Sequence, residues 1–343
     1  MTRQIQSLLI VSIIVWIGTL NAGLVYGEPL KVCTTLPSLG NIAEQVGGEH
    51  AAVTVFSRGH EDPHLVQARP SFIRSMSTAD VYIQNGMELE IGWAPVLIRQ
   101  SRNARIAMGR PGYVDASTVI TPKDVLTGLD RSYGDVHPGG NPHYLLAPTN
   151  GIRVAKLIRD RFVQIRPDLK SQFDANYNRF RDQIATRLVG PELAKRYDAL
   201  KLAVLHEHGK LEAFLEKTNQ RELLGGWIGQ LSKLANNQIV VDHNQWVYFT
   251  DAFQLEVVGI LEPKPGMSPT TRHLAKLIAT MDEKQVKAIG SVPYFAQKYA
   301  KFVSSKSGAT IVPLAHEVAA QPSTDDYIAM IDHNVNQLAR VLR

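Results

Sequence analysis

The sequence predicts an α/β protein of two lobes, each a parallel-type sheet flanked by helices, with one long helix joining them. Three observations carry this expectation. Short β-branched runs alternate with helix-like stretches early in the chain, the same alternation returns in its last third, and a long polar stretch of helical period lies between. At 343 residues the chain is long enough for two cores.

The first segment, "MTRQIQSLLIVSIIVWIGTLNAGLVYG", has one cation, Arg3, an apolar run from Leu8 to Leu20, and small residues at Ala22, Gly23 and Gly27. It reads as a secretory signal peptide over residues 1–27, cleaved near Gly27 or Ala22. An uncleaved anchor is the alternative, but the run falls short of the ~20 residues that cross a bilayer. The rest of the chain is therefore expected outside the cytoplasm, in the periplasm.

Residues 28–166 are expected to form the first lobe. "LKVCTT" and "AAVTVFS" read as strands and "SLGNIAEQVGG" as a helix ended by glycines. "SFIRSMSTADVYIQNG" reads as helix, strand and an Asn85-Gly86 turn. Residues 167–198 are expected to hold the joining helix, long and exposed over 168–189. Residues 199–343 form the second lobe, with strands in "NQIVVD", "LEVVGIL", "VKAIGSV" and "ATIVPL" and helices in "SPTTRHLAKLIATMDEKQ" and "YFAQKYAKFVSSKSG". His206 and His208, in the stretch 200–235, read as solvent-exposed.

Composition narrows the function. The chain is 44% hydrophobic and 20% charged, with a net charge of +5, and its basic residues are scattered. No nucleic-acid surface is expected. Cys33 is the single cysteine, which excludes an internal disulfide and a cysteine zinc site. It follows "EPLKV" rather than the apolar run, so it reads as a buried strand residue and not a lipid anchor point.

The histidines carry the chemistry. His60-Glu61-Asp62-Pro63-His64 matches HExxH, in which a helix presents two zinc ligands and the Glu is general base. Pro63 argues against that helix, since proline is tolerated only in a first turn and biases the residue before it to extended geometry. Three other contexts stand out: His64 after Pro63, His143 after Pro142, and His243 after the strand "IVVD". Each is expected where a strand runs into a loop, the place where α/β sheets bind ligands. A preceding proline stiffens the turn and aims the next side chain, which suits a metal ligand. Taken singly, each histidine reads first as an ordinary hydrogen-bonded surface or core residue.

Taken together they carry a resemblance. "EDPHLVQARPSFIRSMSTADVYIQNGMELEIGW", "DVHPGGNPHYLLAPTNGIRVAKLI", "VDHNQWVYFTDAFQLEVVGILEPKPGMSPTTRHLAKL" and "DDYIAMIDHNVNQLARVL" resemble the metal-binding receptors of zinc and manganese ABC importers (cluster A-I), in family order over almost the whole chain. The resemblance implies two α/β lobes joined by a rigid helix, a metal held in the cleft, and ligands at His64, His143 and His243. The family's fourth ligand, an Asp or Glu, falls on "GATIVPLAHEVAAQP", where His316 stands with Glu317 beside it. His316 is the expected fourth ligand and Glu317 the alternative. The family's His-rich loop is missing, and "YGDVHPGG", with His137, stands in its place.

Imidazole nitrogen suits zinc and oxygen-rich sites suit manganese, so Zn2+ is expected ahead of Mn2+. Four protein ligands leave no open position for catalytic water. The expected function is capture and delivery of zinc to a membrane permease by a monomeric, non-enzymatic receptor. The alternatives are a secreted zinc metallohydrolase, or a zinc chaperone or adhesin of the same fold.

Overall fold

The structure, a computed structural model, describes residues 27–125, 137–263 and 267–343. The expected signal peptide lies outside the described residues apart from Gly27. Among the described residues, no helix is long and apolar enough to cross a membrane.

The strands form two four-stranded sheets, every pairing parallel. The first holds β1 (Leu30–Thr34), β2 (Ala51–Val55), β3 (Val81–Gln84) and β4 (Tyr113–Asp115), in the order β2-β1-β3-β4. The second holds β5 (Gln238–Val241), β6 (Glu256–Ile260), β7 (Ala288–Ser291) and β8 (Thr310–Pro313), in the order β6-β5-β7-β8. The order is the same in both, so the chain uses one winding twice. In each sheet the connections diverge beside the central pair, β1/β3 or β5/β7. The carboxyl ends of these strands are the topological switch points where such sheets bind ligands.

The strands expected from the sequence are present, and β4 adds one. Its three residues are too short to give a periodic signal. Cys33 lies buried in β1, 3% exposed, and burial pushes its thiol up to about 12.

The helix Lys170–Val189 occupies the middle of the chain, as its period predicts, but it is not the exposed rod expected. Phe173, Tyr177, Phe180, Ile184 and Leu188 are buried along it. Their spacing of three and four residues makes one continuous apolar stripe. That stripe packs on helices Pro37–Gly47 and Pro148–Ile165 of the first half and on helices Ala199–Glu207 and Gly226–Leu231 of the second. Removing one such aromatic, for example Phe180→Ala, costs about 3–5 kcal/mol.

The stretch 200–235 resolves into helices Ala199–Glu207, Leu211–Lys217 and Gly226–Leu231. His206 is 4% exposed, contrary to the exposed position expected for it. It shares a helix face with Ala199, Leu202 and Ala203, all buried, at spacings of three and four. His208 is exposed, and its Nδ1 lies 2.7 Å from the Val204 carbonyl.

Candidate metal centre

HExxH does not form a helix here. Gly59 to Glu61 make a turn, Asp62 is extended at φ −70° and ψ 117°, and only Pro63–Leu65 turns as a short 3-10 helix. His60 is exposed while His64 faces the cleft, so the two cannot share one helical face. Gly59 is required because a Cβ there would stand 2.1 Å from the Val318 carbonyl oxygen, where the second half of the chain meets this loop.

Asp62 fixes His64. One carboxylate oxygen, Oδ1, accepts from the His64 backbone N–H at 3.0 Å and lies 2.7 Å from its ring Nδ1. With Nδ1 donating there, Nε2 is left with its lone pair, the form that binds a metal. Burial raises the Asp62 carboxyl, but the hydrogen bonds and charge of His64 outweigh it, and the net shift is downward. The Trp93 indole N–H donates to the Pro63 carbonyl at 3.2 Å and pins the turn from below.

His143 is held differently from the strand-end position expected. It immediately precedes the 3-10 turn Tyr144–Leu146, which leads into helix Pro148–Ile165. Its backbone N–H donates to Asn141 Oδ1 at 3.1 Å, and Asn85 Nδ2 donates to the Pro142 carbonyl at 2.9 Å. Asn85 is itself held by Glu90, whose carboxylate accepts from Asn85 N at 2.7 Å, Gly86 N at 3.1 Å and Thr35 Oγ1 at 2.6 Å. Burial pushes Glu90 up to about 7 against those three donors. Met87 and Glu88, in the same turn, adopt positive φ of 49° and 58°, a strained backbone for non-glycine residues.

His243 lies two residues past β5, at the second switch point. Asp242 accepts from His243 N at 2.9 Å and from Val292 N at 2.6 Å, which ties the loop to the end of β7. The His243 ring lies against Phe295 at 5.5 Å, and its Nδ1 is buried without a hydrogen-bond partner.

The ring contacts join these histidines in a chain. Ring centres of His64 and His143 are 5.5 Å apart, and those of His143 and His243 are 6.2 Å apart. His137 joins at the other end, with its ring 5.1 Å from that of His64 and the two Nε2 atoms 3.1 Å apart. The sequence signal for His137 is only its nearness to Pro142-His143, and it was not among the expected ligands. Among the described residues, no three His, Cys, Asp or Glu side chains are drawn together tightly enough to hold an ion as they stand.

His316 and Glu317 point apart, as neighbours leaving a strand do. The Glu317 carboxylate accepts from Ser38 N at 2.9 Å, at the start of helix Pro37–Gly47. The His316 ring packs edge-on against Tyr294 at 4.6 Å, and its Nε2 lies 3.3 Å from the Glu61 carbonyl. Its Nδ1 is buried without a hydrogen-bond partner.

The electrostatics suit neutral imidazole. Burial first, then repulsion from His64 and His243, pushes His137 down to about 4, against a hydrogen bond with the Met87 backbone. Burial likewise holds His243 and His316 at about 4 and His143 well below the ordinary range. The cleft beside them is a cavity of about 290 Å³ lined by Asp62, His64, His243, Glu262, Tyr294 and Phe295, among others.

A family model described as zinc-uptake complex component A, periplasmic, matches residues 32–201 and 210–341. The unmatched residues between include His206 and His208. The chain is 25% identical over 319 residues to the manganese-binding lipoprotein MntA of Halalkalibacterium halodurans, covering 90% of this chain and 87% of that one. It is 21% identical over 328 residues to the high-affinity zinc uptake system protein ZnuA of Yersinia pestis, covering 91% of each. A crystal structure of ZnuA superposes with a TM-score of 0.66 at 20% identity, over 92% of this chain and 100% of that one. With its family match spanning nearly the whole of both sheets and the helices between them, the chain belongs to the family of periplasmic zinc-uptake component A proteins.

Proposed function

We propose that this protein captures zinc outside the cytoplasmic membrane and delivers it, as a monomer, to the permease of an ABC importer. His64, His143 and His243 hold the ion, with a fourth donor from the same cleft. The observation that carries this reading is the run of ring contacts from His64 through His143 to His243, which joins three imidazoles from both halves of the chain. Nitrogen ligands favour zinc over manganese, which prefers oxygen. Asp62 supports the reading as the carboxylate that orients His64.

Relatives named for zinc and for manganese support a divalent metal ion as the cargo, and a nitrogen-rich donor set favours zinc. The halves 28–166 and 199–343 act as the two jaws, and the helix within 167–198 serves as their stiff spine. Its apolar stripe, buried against helices of both halves, supports that role. A hydrolase would need an open coordination position and a general base. Glu317, one candidate base, faces Ser38 instead.

The test is metal analysis of the protein purified from the periplasm of cells grown with zinc and manganese together. One zinc per chain is expected. Manganese as the bound metal would overturn the zinc assignment.

A further inference from the structure

We infer that His137 supplies the fourth metal ligand, in place of His316, and that the turn His137–His143 contributes two ligands to one ion. The inference rests on the zinc-receptor reading above and says which side chain closes the site.

Separation is the first ground. Two nitrogens ~2.0–2.1 Å from a tetrahedral zinc stand about 3.3–3.4 Å from each other. The Nε2 atoms of His64 and His137 are 3.1 Å apart. A shift of a few tenths of an ångström gives that pair the spacing of two ligands on one ion. With Asp62 holding the Nδ1–H of His64, a hydrogen bond between the two Nε2 atoms needs the His137 proton on its Nε2. Metal binding replaces that hydrogen bond. The His137 proton moves to its other ring nitrogen, so both Nε2 lone pairs face the ion and the rings stay neutral.

The second ground is that the turn is built and anchored. Gly140 N donates to the His137 carbonyl at 3.0 Å, closing the turn. Gly139 N donates to Glu88 Oε2 at 3.2 Å, and Asn141 N donates to the Lys123 carbonyl at 2.7 Å. Gly140 adopts φ +117°, and a Cβ there would stand 2.7 Å from Pro122. Pro142 and its bond from Asn85 fix the His143 end. Both histidines are thus presented from one short, pinned segment, which lowers the entropy cost of ordering two ligands.

His316 has other engagements. Its Nε2 is directed at the Glu61 carbonyl and its ring is held edge-on by Tyr294. In this assignment its ring stays against Tyr294 and the Glu61 carbonyl and takes no part in holding the ion.

The experiment compares wild type, His137→Ala, His137→Gln, His316→Ala and His64→Ala, stripped with chelator and titrated with zinc and with cobalt(II). Thermal melts without metal check that each variant folds. His137→Ala and His137→Gln are expected to lose zinc affinity about tenfold or more, the scale seen even for residues that only support a ligand. The tetrahedral cobalt absorption should fall with it, since an oxygen or water replaces a nitrogen. His316→Ala should leave the cobalt spectrum unchanged in shape. If His137→Ala binds zinc within about twofold of wild type with an unchanged cobalt spectrum, the inference is overturned, and a spectrum altered by His316→Ala would give the place to His316. If wild type binds no zinc, or His64→Ala binds as wild type does, the receptor reading itself fails and takes this inference with it.

Discussion

The side-chain amide of Asn141 donates to the carbonyl of Asn244 at 2.8 Å, so the loop carrying His143 is bonded to the loop carrying His243. The same side chain accepts from His143 N at 3.1 Å and reaches Asp124 Oδ2 at 3.2 Å. One residue therefore aims His143 and ties its loop to the loop of His243. Asn141→Ala should weaken zinc binding about 10–100-fold, the range for outer partners of metal ligands. Calorimetric titration checks this, and an unchanged melting curve without metal would separate lost aim from lost fold.

The assignment of ligands predicts a contrast within HExxH. His64→Ala, His143→Ala and His243→Ala should each reduce zinc affinity more than Asn141→Ala does. His60→Ala should leave it within about twofold, because His60 is exposed on the turn and not paired with His64 on a helix. Equal losses in His60→Ala and His64→Ala would restore the peptidase-like arrangement.

Burial sets the pH dependence. An ordinary histidine titrates near pH ~6.5, which from sequence alone places loss of binding toward pH 5. In the structure His137 and His243 are pushed down to about 4 and His143 well below its usual value, all chiefly by burial. Their neutral, metal-binding form therefore persists to lower pH, and the steep loss of zinc should fall below about pH 5. Chelator competition from pH 7.5 to 4 measures it. A loss centred near pH 6.5 would contradict the buried geometry.

The same shifts act on folding in opposite directions. Between about pH 6.5 and 4 the unfolded chain takes up protons at His137, His243 and His316 that the folded chain refuses, so these groups remove stability as pH falls. Glu90, Asp242 and Glu317 are raised to about 7 by burial, so the folded chain holds their protons longer and they remove stability as pH rises toward 7. Replacing Glu317 by Gln should flatten the rising-pH loss in urea unfolding measured from pH 5 to 8.

Tyr327 offers a test of how the last helix is fastened. Its hydroxyl is fully buried and donates to the Leu145 carbonyl at 2.6 Å, just before helix Pro148–Ile165. Tyr327→Phe leaves that carbonyl less satisfied and should cost about 1–3 kcal/mol in urea unfolding. A cost near zero would mean water replaces the hydroxyl.

Much of this was legible in the sequence, and the exceptions have physical causes. The strand β5 announces itself because its Ile239–Val241 run is buried on both faces, as parallel strands are, and so reads as continuously apolar. His64, His143 and His243 stand out through proline or a strand end beside them. His137 does not, since its pairing with His64 spans 73 residues and comes from a turn folding back, which no local spacing encodes. The buried stripe of helix Lys170–Val189 is masked by the charged residues between its aromatics. His206 is buried by a face shared with small and apolar neighbours, a pattern too short to weigh against its polar surroundings.

The central claim is that one zinc ion sits among the histidines of the cleft. Anomalous diffraction at the zinc edge from zinc-loaded crystals tests it most directly. A single strong peak is expected, with a nitrogen of each of His64, His143 and His243 ~2.0–2.1 Å away. A peak elsewhere on the chain, or one held by carboxylate oxygens such as those of Glu262 with these rings turned aside, would contradict it.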